Sequence, residues 1–129
     1  MGGHVAMTFA PIAAALPPVR SGRLRAIGVT AARRSHELPD VPTIDEAGVR
    51  GYEAAGWNAL LAPKATSREI IMKVNVAVAD SLRSAKVREI LRASGAEAGG
   101  GSPEALGRFI QSEMGKWGKV VRAAGISPE

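Results

Sequence analysis

The chain has 129 residues, 46% hydrophobic and 22% charged, with 17 Lys and Arg against 12 Asp and Glu for a formal charge of +5. That length suits one domain with one core, and the composition excludes a disordered chain. There is no cysteine and only 4% of residues are aromatic, which excludes disulfides, thiol nucleophiles, cysteine metal sites and a stacking platform for single strands.

The positive charges are scattered rather than gathered in one block, so the chain is read as having no nucleic-acid partner. A basic balance also suits small acidic ligands. No apolar run approaches the roughly 18 residues of a membrane span. The opening stretch, MGGHVAMTFAPIAAALPP, carries no Lys or Arg ahead of its apolar run and ends in paired prolines. It reads as folded chain, not as an export signal.

His4–Phe9, HVAMTF, is short, apolar and rich in β-formers, which predicts a buried strand. Pro11 suits a first helical position, so Ala10–Ser21 is expected to be helical, kinked or restarted by Pro17 and Pro18. Gly22 is placed to end it. Arg23–Thr30, RLRAIGVT, alternates as a second strand, and strand–helix–strand predicts a parallel βαβ unit.

Arg33 and Arg34 follow; Arg34 is expected to be a solvated loop arginine, with bidentate binding of a carboxylate as the alternative. In Leu38–Gly48, LPDVPTIDEAG, Pro39 and Pro42 bias their predecessors away from helix, which predicts an extended arm. Thr43 and Glu46 have the spacing of a capping box, each side chain bonding the other's backbone N–H. A very short helix is expected there, ended by Gly48. Gly51–Ala62, with Tyr52, Trp57, Leu60 and Leu61, reads as a long strand ended by Pro63.

The second half turns helical. Ser67 is a good N-cap with Glu69 in the first turn, and apolar residues keep helical spacing to Ser84. A shorter helix runs from residue 85 to 94 and stops at Gly95, with Ala96–Ala98 as a short strand. Ser102 and Pro103 open the last helix, to residue 124. Its stripe of Leu106, Phe109, Ile110, Met114, Trp117, Val120 and Val121 is expected to pack on a sheet, with Trp117 in the core beside Phe109 and Leu106.

The glycines at 99–101 lack the GxxxxGKS spacing of a phosphate loop. There is no HExxH, no GxSxG and no clustered carboxylate pair, so no catalytic residue is assigned. His4 and His36 lack ligand spacing, so no metal site and no cofactor are expected.

Several segments, taken in order, resemble the Bug receptors, the solute-binding proteins of tripartite tricarboxylate transporters. They are Gly22-Arg23-Leu24-Arg25-Ala26, Val29-Thr30, Arg34-Ser35, Leu38-Pro39-Asp40-Val41-Pro42-Thr43 and Glu46-Ala47-Gly48. Gly51-Tyr52-Glu53, Trp57, Ala62-Pro63, Gly95, Ser102-Pro103-Glu104, Glu113-Met114, Trp117 and Ala124-Gly125-Ile126 complete the series.

The resemblance implies an α/β fold, the C-terminal part of a two-lobed periplasmic binding protein of type II-like form, lacking most of the N-terminal half. Residues 1–51 would end the second lobe, 52–63 would cross back, and 64–129 would complete the first lobe. The implied function is that of a truncated solute-binding protein, not an enzyme, from a family that captures small carboxylates for uptake. The family's partners are the carboxylate and membrane transporter subunits, and its compartment is the periplasm. Without an export signal, a cytoplasmic chain or a fragment is the other expectation.

Phe9, Ala10 and Pro11, the loop after the first strand, are the implied ligand-binding wall. Some family members carry Asp at the Ala10 position, where it can meet a ligand's amine; Ala10 cannot. The competing expectation is an interaction module without a ligand of its own. Unpaired strand edges and apolar helix stripes predict a homo-oligomer, with Tyr52–Pro63 as the segment to exchange.

Overall fold

The computed structural model describes residues 4–127. Residues 1–3 and 128–129, the outer ends of the two expected lobe segments, lie outside the described residues. Four helices follow in order: α1 (Ile12–Arg20), α2 (Arg68–Arg83), α3 (Ala85–Ala93) and α4 (Pro103–Ala123). The chain divides into two compact units. One runs to Leu61 and also takes Arg88–Glu97; the other takes Ala62–Val87 and the chain from Ala98 onward.

In the first unit, α1 continues through Pro17 and Pro18 without the expected restart. The prolines lie late in a short helix, so few backbone bonds are lost. Their carbonyls are used by the exit turn: Ser21 N–H donates to Pro17, and Arg23 and Leu24 donate to Pro18. Gly22 ends the helix as expected, at φ +71. Leu16 is buried on α1.

The three expected strands are a correction. Among the described residues there is no β-strand, only one isolated parallel bridge between Val29 and Thr43. Val29 donates to Pro42 C=O and accepts from Ile44 N–H, both at 2.9 Å. Residues 4–9 and 52–62 carry no strand assignment, and the βαβ unit does not form. β-formers set an extended preference, but a strand exists only where a partner lies alongside. The bridge cannot lengthen, because turns bracket it on the Thr43 side.

Those turns correct a second expectation. Leu38–Pro42 is not an extended arm: Val41 N–H returns to Leu38 C=O at 3.1 Å. Pro39 occupies the second position of that turn, where its fixed φ is favourable. After Thr43 the backbone makes one α-type turn, Ala47 N–H to Thr43 C=O at 3.0 Å, but no helix follows. Gly48, at φ +117, ends it.

In the second unit the helix caps fall where expected. Ser67 Oγ accepts from Ile70 N–H, and Ser102 Oγ accepts from Ala105 N–H with Pro103 first in α4. Arg68 pairs with Glu104 at 3.0 Å, and Asn75 Nδ2 donates to Gly101 C=O at 2.9 Å. Ala96–Ala98 is not a strand.

Trp117 is not in a core. It is 40% exposed, and Phe109 43%. Periodicity names the apolar face of a helix but not what covers it, and no sheet lies here. The indole N–H instead meets Glu113 Oε2 on its own helix at 3.0 Å, with Lys116 Nζ 5.7 Å from the ring centre. Trp117→Ala should therefore cost less than the ~3–5 kcal/mol of a fully buried Trp.

Gly95 ends α3 at φ +71, and a Cβ there would lie 2.8 Å from Ile12 Cβ. Both the left-handed backbone and the close approach exclude a side chain. Gly95→Ala is expected to destabilise by about 1–3 kcal/mol in urea melts. Gly99→Ala, with nothing within 4 Å, should melt like the parent chain.

Candidate functional site

Phe9, Ala10 and Pro11 form one exposed loop entering α1. Pro11 occupies the N-cap position, and no side chain caps the helix. Ala14 and Ala15 donate to Pro11 C=O at 3.0 and 3.1 Å. The preceding N–H groups of Ile12 and Ala13 have no acceptor among the described residues, as is usual for an uncapped first turn.

Beside this loop lies a hollow of about 150 Å³, lined by Met7, Thr8, Phe9, Ile27, Gly28 and Ile44. The structure thus brings Phe9 to a hollow but leaves Ala10 and Pro11 outside its lining. Thr8 Oγ1 donates to Phe9 C=O at 3.4 Å, the one side-chain polar contact there among the described residues. None of the lining residues is charged. Met7, Ile27, Gly28 and Ile44 were not singled out from sequence as site residues. The alternation in 4–9 and 23–30 names their faces, but only folding brings residues 16 or more apart together.

What this arrangement can do is limited and specific. Two open N–H groups at a helix start favour an anion, and the neutral hollow favours an uncharged surface. A larger depression, about 390 Å³, lies over Glu69, Met72, Lys73 and Val76. Those four belong to α2 alone, and Glu69 already pairs with Lys73 at 2.7 Å, so it is an open helix face.

The expected capping box is present. Thr43 N–H donates to Glu46 Oε2 at 2.8 Å, and Glu46 N–H donates to Thr43 Oγ1 at 3.1 Å. Arg34 finds its carboxylate inside the chain: its Nε meets Glu46 Oε2 at 2.7 Å and Nη1 meets Pro39 C=O at 3.3 Å. It is therefore committed to this turn rather than held out for a ligand. Among the described residues no three His, Asp or Glu side chains gather as a metal site would need. Among the described residues no helix is long and apolar enough to cross a membrane.

The Thr43 N–H, followed by Arg34, holds the Glu46 carboxyl below the usual Glu range. A depressed folded-state pKa gives stability that is present above the unfolded value and lost as pH falls through the folded one. NMR titration should find Glu46 titrating below ordinary glutamates, and Arg34→Ala should move it upward. Glu46→Gln should remove this part of the acid dependence of unfolding.

A model of the tripartite tricarboxylate transporter family receptor matches residues 1–126. Protein BugT of Bordetella pertussis is 37% identical over 97% of this chain and 38% of its own length. A protein from the tcbD-tcbE intergenic region of Pseudomonas sp. (strain P51) is 34% identical over 94% of the chain and 36% of its own. Among solved structures, R. palustris Rpa4515 with adipate is 42% identical, with a TM-score of 0.80 over 92% of this chain and 40% of that one. The periplasmic binding protein BugD is 30% identical, with a TM-score of 0.77 over 88% of this chain and 38% of that one. The chain thus spans about two fifths of the length of these relatives.

Proposed function

This chain belongs to the tripartite tricarboxylate transporter receptor family, and on that premise we propose that it supplies part of a two-lobed periplasmic receptor for a small carboxylate. Residues 1–51 end one lobe, 52–63 cross, and 64–129 complete the other. The break between compact units at Leu61 and Ala62 supports that crossing, while Arg88–Glu97, inside 64–129, groups with the first unit. The protein acts by binding rather than by turnover, and it delivers its ligand to membrane subunits of the transporter.

The observation that carries this reading is the fold and 42% identity shared with an adipate-bound protein over nearly the whole chain. The open N–H groups at the start of α1 offer donors for a carboxylate, and the loop Phe9–Pro11 forms one wall. The other walls belong to segments of the relatives that these 129 residues do not span. Ala10 gives no acceptor for an amine, which favours a carboxylate without an amino group.

A chimera tests this. This chain replaces the matching region of the adipate-bound R. palustris protein, and calorimetry follows adipate, succinate, citrate and the neutral 1,6-hexanediol. At least one carboxylate should give a saturable heat that hexanediol lacks. Ala10→Asp should weaken it by about tenfold or more through like charge. A chimera that melts cooperatively yet binds no carboxylate contradicts the proposal.

The second reading is a self-associating module without its own ligand. One observation favours it: Val5, Met7 and Phe9 are exposed, and the backbone of 5–9 makes no backbone hydrogen bond among the described residues. Dicarboxylate calorimetry on the 129-residue chain separates the two readings.

A further inference from the structure

The cations of α2 all have a carboxylate: Arg68 pairs with Glu104, Lys73 with Glu69 and Arg83 with Asp80. α4 breaks that pattern. Lys116 meets Glu113, but Arg108, Lys119 and Arg122 have no ion pair or side-chain hydrogen bond among the described residues, and all three are exposed. With 3.6 residues per turn, positions 108, 115, 119 and 122 keep to one side of the helix, and Leu106, Ile110 and Trp117 to the other. The cationic row extends about 21 Å from Arg108 to Arg122. Past Glu104, which Arg68 holds, that side carries no acid.

Helix chemistry alone does not account for the row. Arg122 in the last turn suits the negative end of the dipole, but Arg108 stands in the second turn, toward the positive end. Lys119 and Arg122, three apart, are neighbours of like charge, which costs a helix stability. Gly118 lets Arg122 lie back along the helix, with Nη1 3.5 Å from where a Cβ at 118 would sit. A Cβ at Gly115, between Arg108 and Lys119, would meet nothing within 4 Å. The strip is thus open at its centre and cationic at both ends.

Any cover that α4 takes falls on the side of Trp117, because burying unpaired cations costs far more than burying apolar groups. The cationic side is left for a partner that brings the missing carboxylates. We propose that this side of α4 docks onto an acidic protein surface of the transporter's membrane subunits. The site rests on the receptor reading above, because a receptor must meet such subunits to deliver its ligand. Opposite charge would also steer the encounter. A lipid surface fits less well. A helix lying among headgroups buries its apolar side, which here would turn the cations away. Three cations also fall short of the roughly four to eight that hold a basic cluster to anionic lipid.

The test titrates the full chain against the transporter's membrane subunits in nanodiscs of zwitterionic lipid. The chain should bind, and binding should weaken as salt is raised. Arg108→Gln, Lys119→Gln and Arg122→Gln together should weaken it by about tenfold or more, with helical circular dichroism retained. Lys64→Gln, Lys86→Gln and Arg92→Gln remove the same charge elsewhere and should leave affinity within about twofold. Because the chain has no cysteine, Ser112→Cys can carry a benzophenone label, which should cross-link to a membrane subunit. Placed in the chimera, the three α4 substitutions should leave its carboxylate heat unchanged. A chimera without that heat tells against the receptor reading, not against docking. Docking is overturned by a parent chain that does not bind, a triple variant that binds as tightly, an equal loss from the control set, or no cross-link from residue 112. Tighter binding to subunit-free discs of anionic lipid also overturns it, and assigns the face to a membrane.

Discussion

Thr43 carries the interaction on which the first unit depends. It is 2% exposed, against 5% for Leu16 and 8% for Val29, the buried apolar residues of the described chain. With so little apolar burial, hydrophobic packing cannot alone hold the turns in place. The backbone around Thr43 bonds Val29 on one side, while its hydroxyl and N–H close a reciprocal pair with Glu46. Arg34 then neutralises the same carboxylate and reaches Pro39. The capping turn and the ion pair thus share the Glu46 carboxylate, and the backbone bridge is made by the residues on either side of Thr43. Loss of the Thr43 hydroxyl would leave the Glu46 N–H without its acceptor beside that bridge.

Interactions local in the chain were legible in the amino-acid sequence. The capping box at Thr43 and Glu46, the caps at Ser67 and Ser102, Pro103 at the start of α4, and the stops at Gly22 and Gly95 each involve residues a few positions apart. Their chemistry is complete within one turn. That the expected strands do not form among the described residues was not legible, because pairing joins residues distant in the chain and needs a neighbour that composition does not name. Leu38–Pro42 shows a subtler limit: proline before an extended bias and proline inside a turn share the same φ. Trp117 shows another, since a helical stripe marks which side wants cover without saying what covers it.

Of the loop expected from sequence to face a ligand, one residue lines a hollow whose shape the sequence did not show. Phe9 borders the hollow, whereas Ala10 and Pro11 shape the start of α1 beside it. The lining contributed by Ile27, Gly28 and Ile44 depends on folding. Nothing in the lining carries charge, so recognition of a carboxylate by this loop would fall to backbone donors at a helix start, with side chains setting shape. A binding surface built from N–H groups tolerates side-chain change around it.

The most direct test of the account is amide hydrogen exchange at Val29, Ile44 and Glu46. With the Thr43 N–H, these three are the donors that tie the bridge and the capping box around Thr43. They should exchange at least about a hundredfold more slowly than the amides at 99–100, and Thr43→Val should accelerate all three together. Exchange as fast as at 99–100, or three amides that respond separately, would contradict the claim that one buried threonine organises this unit.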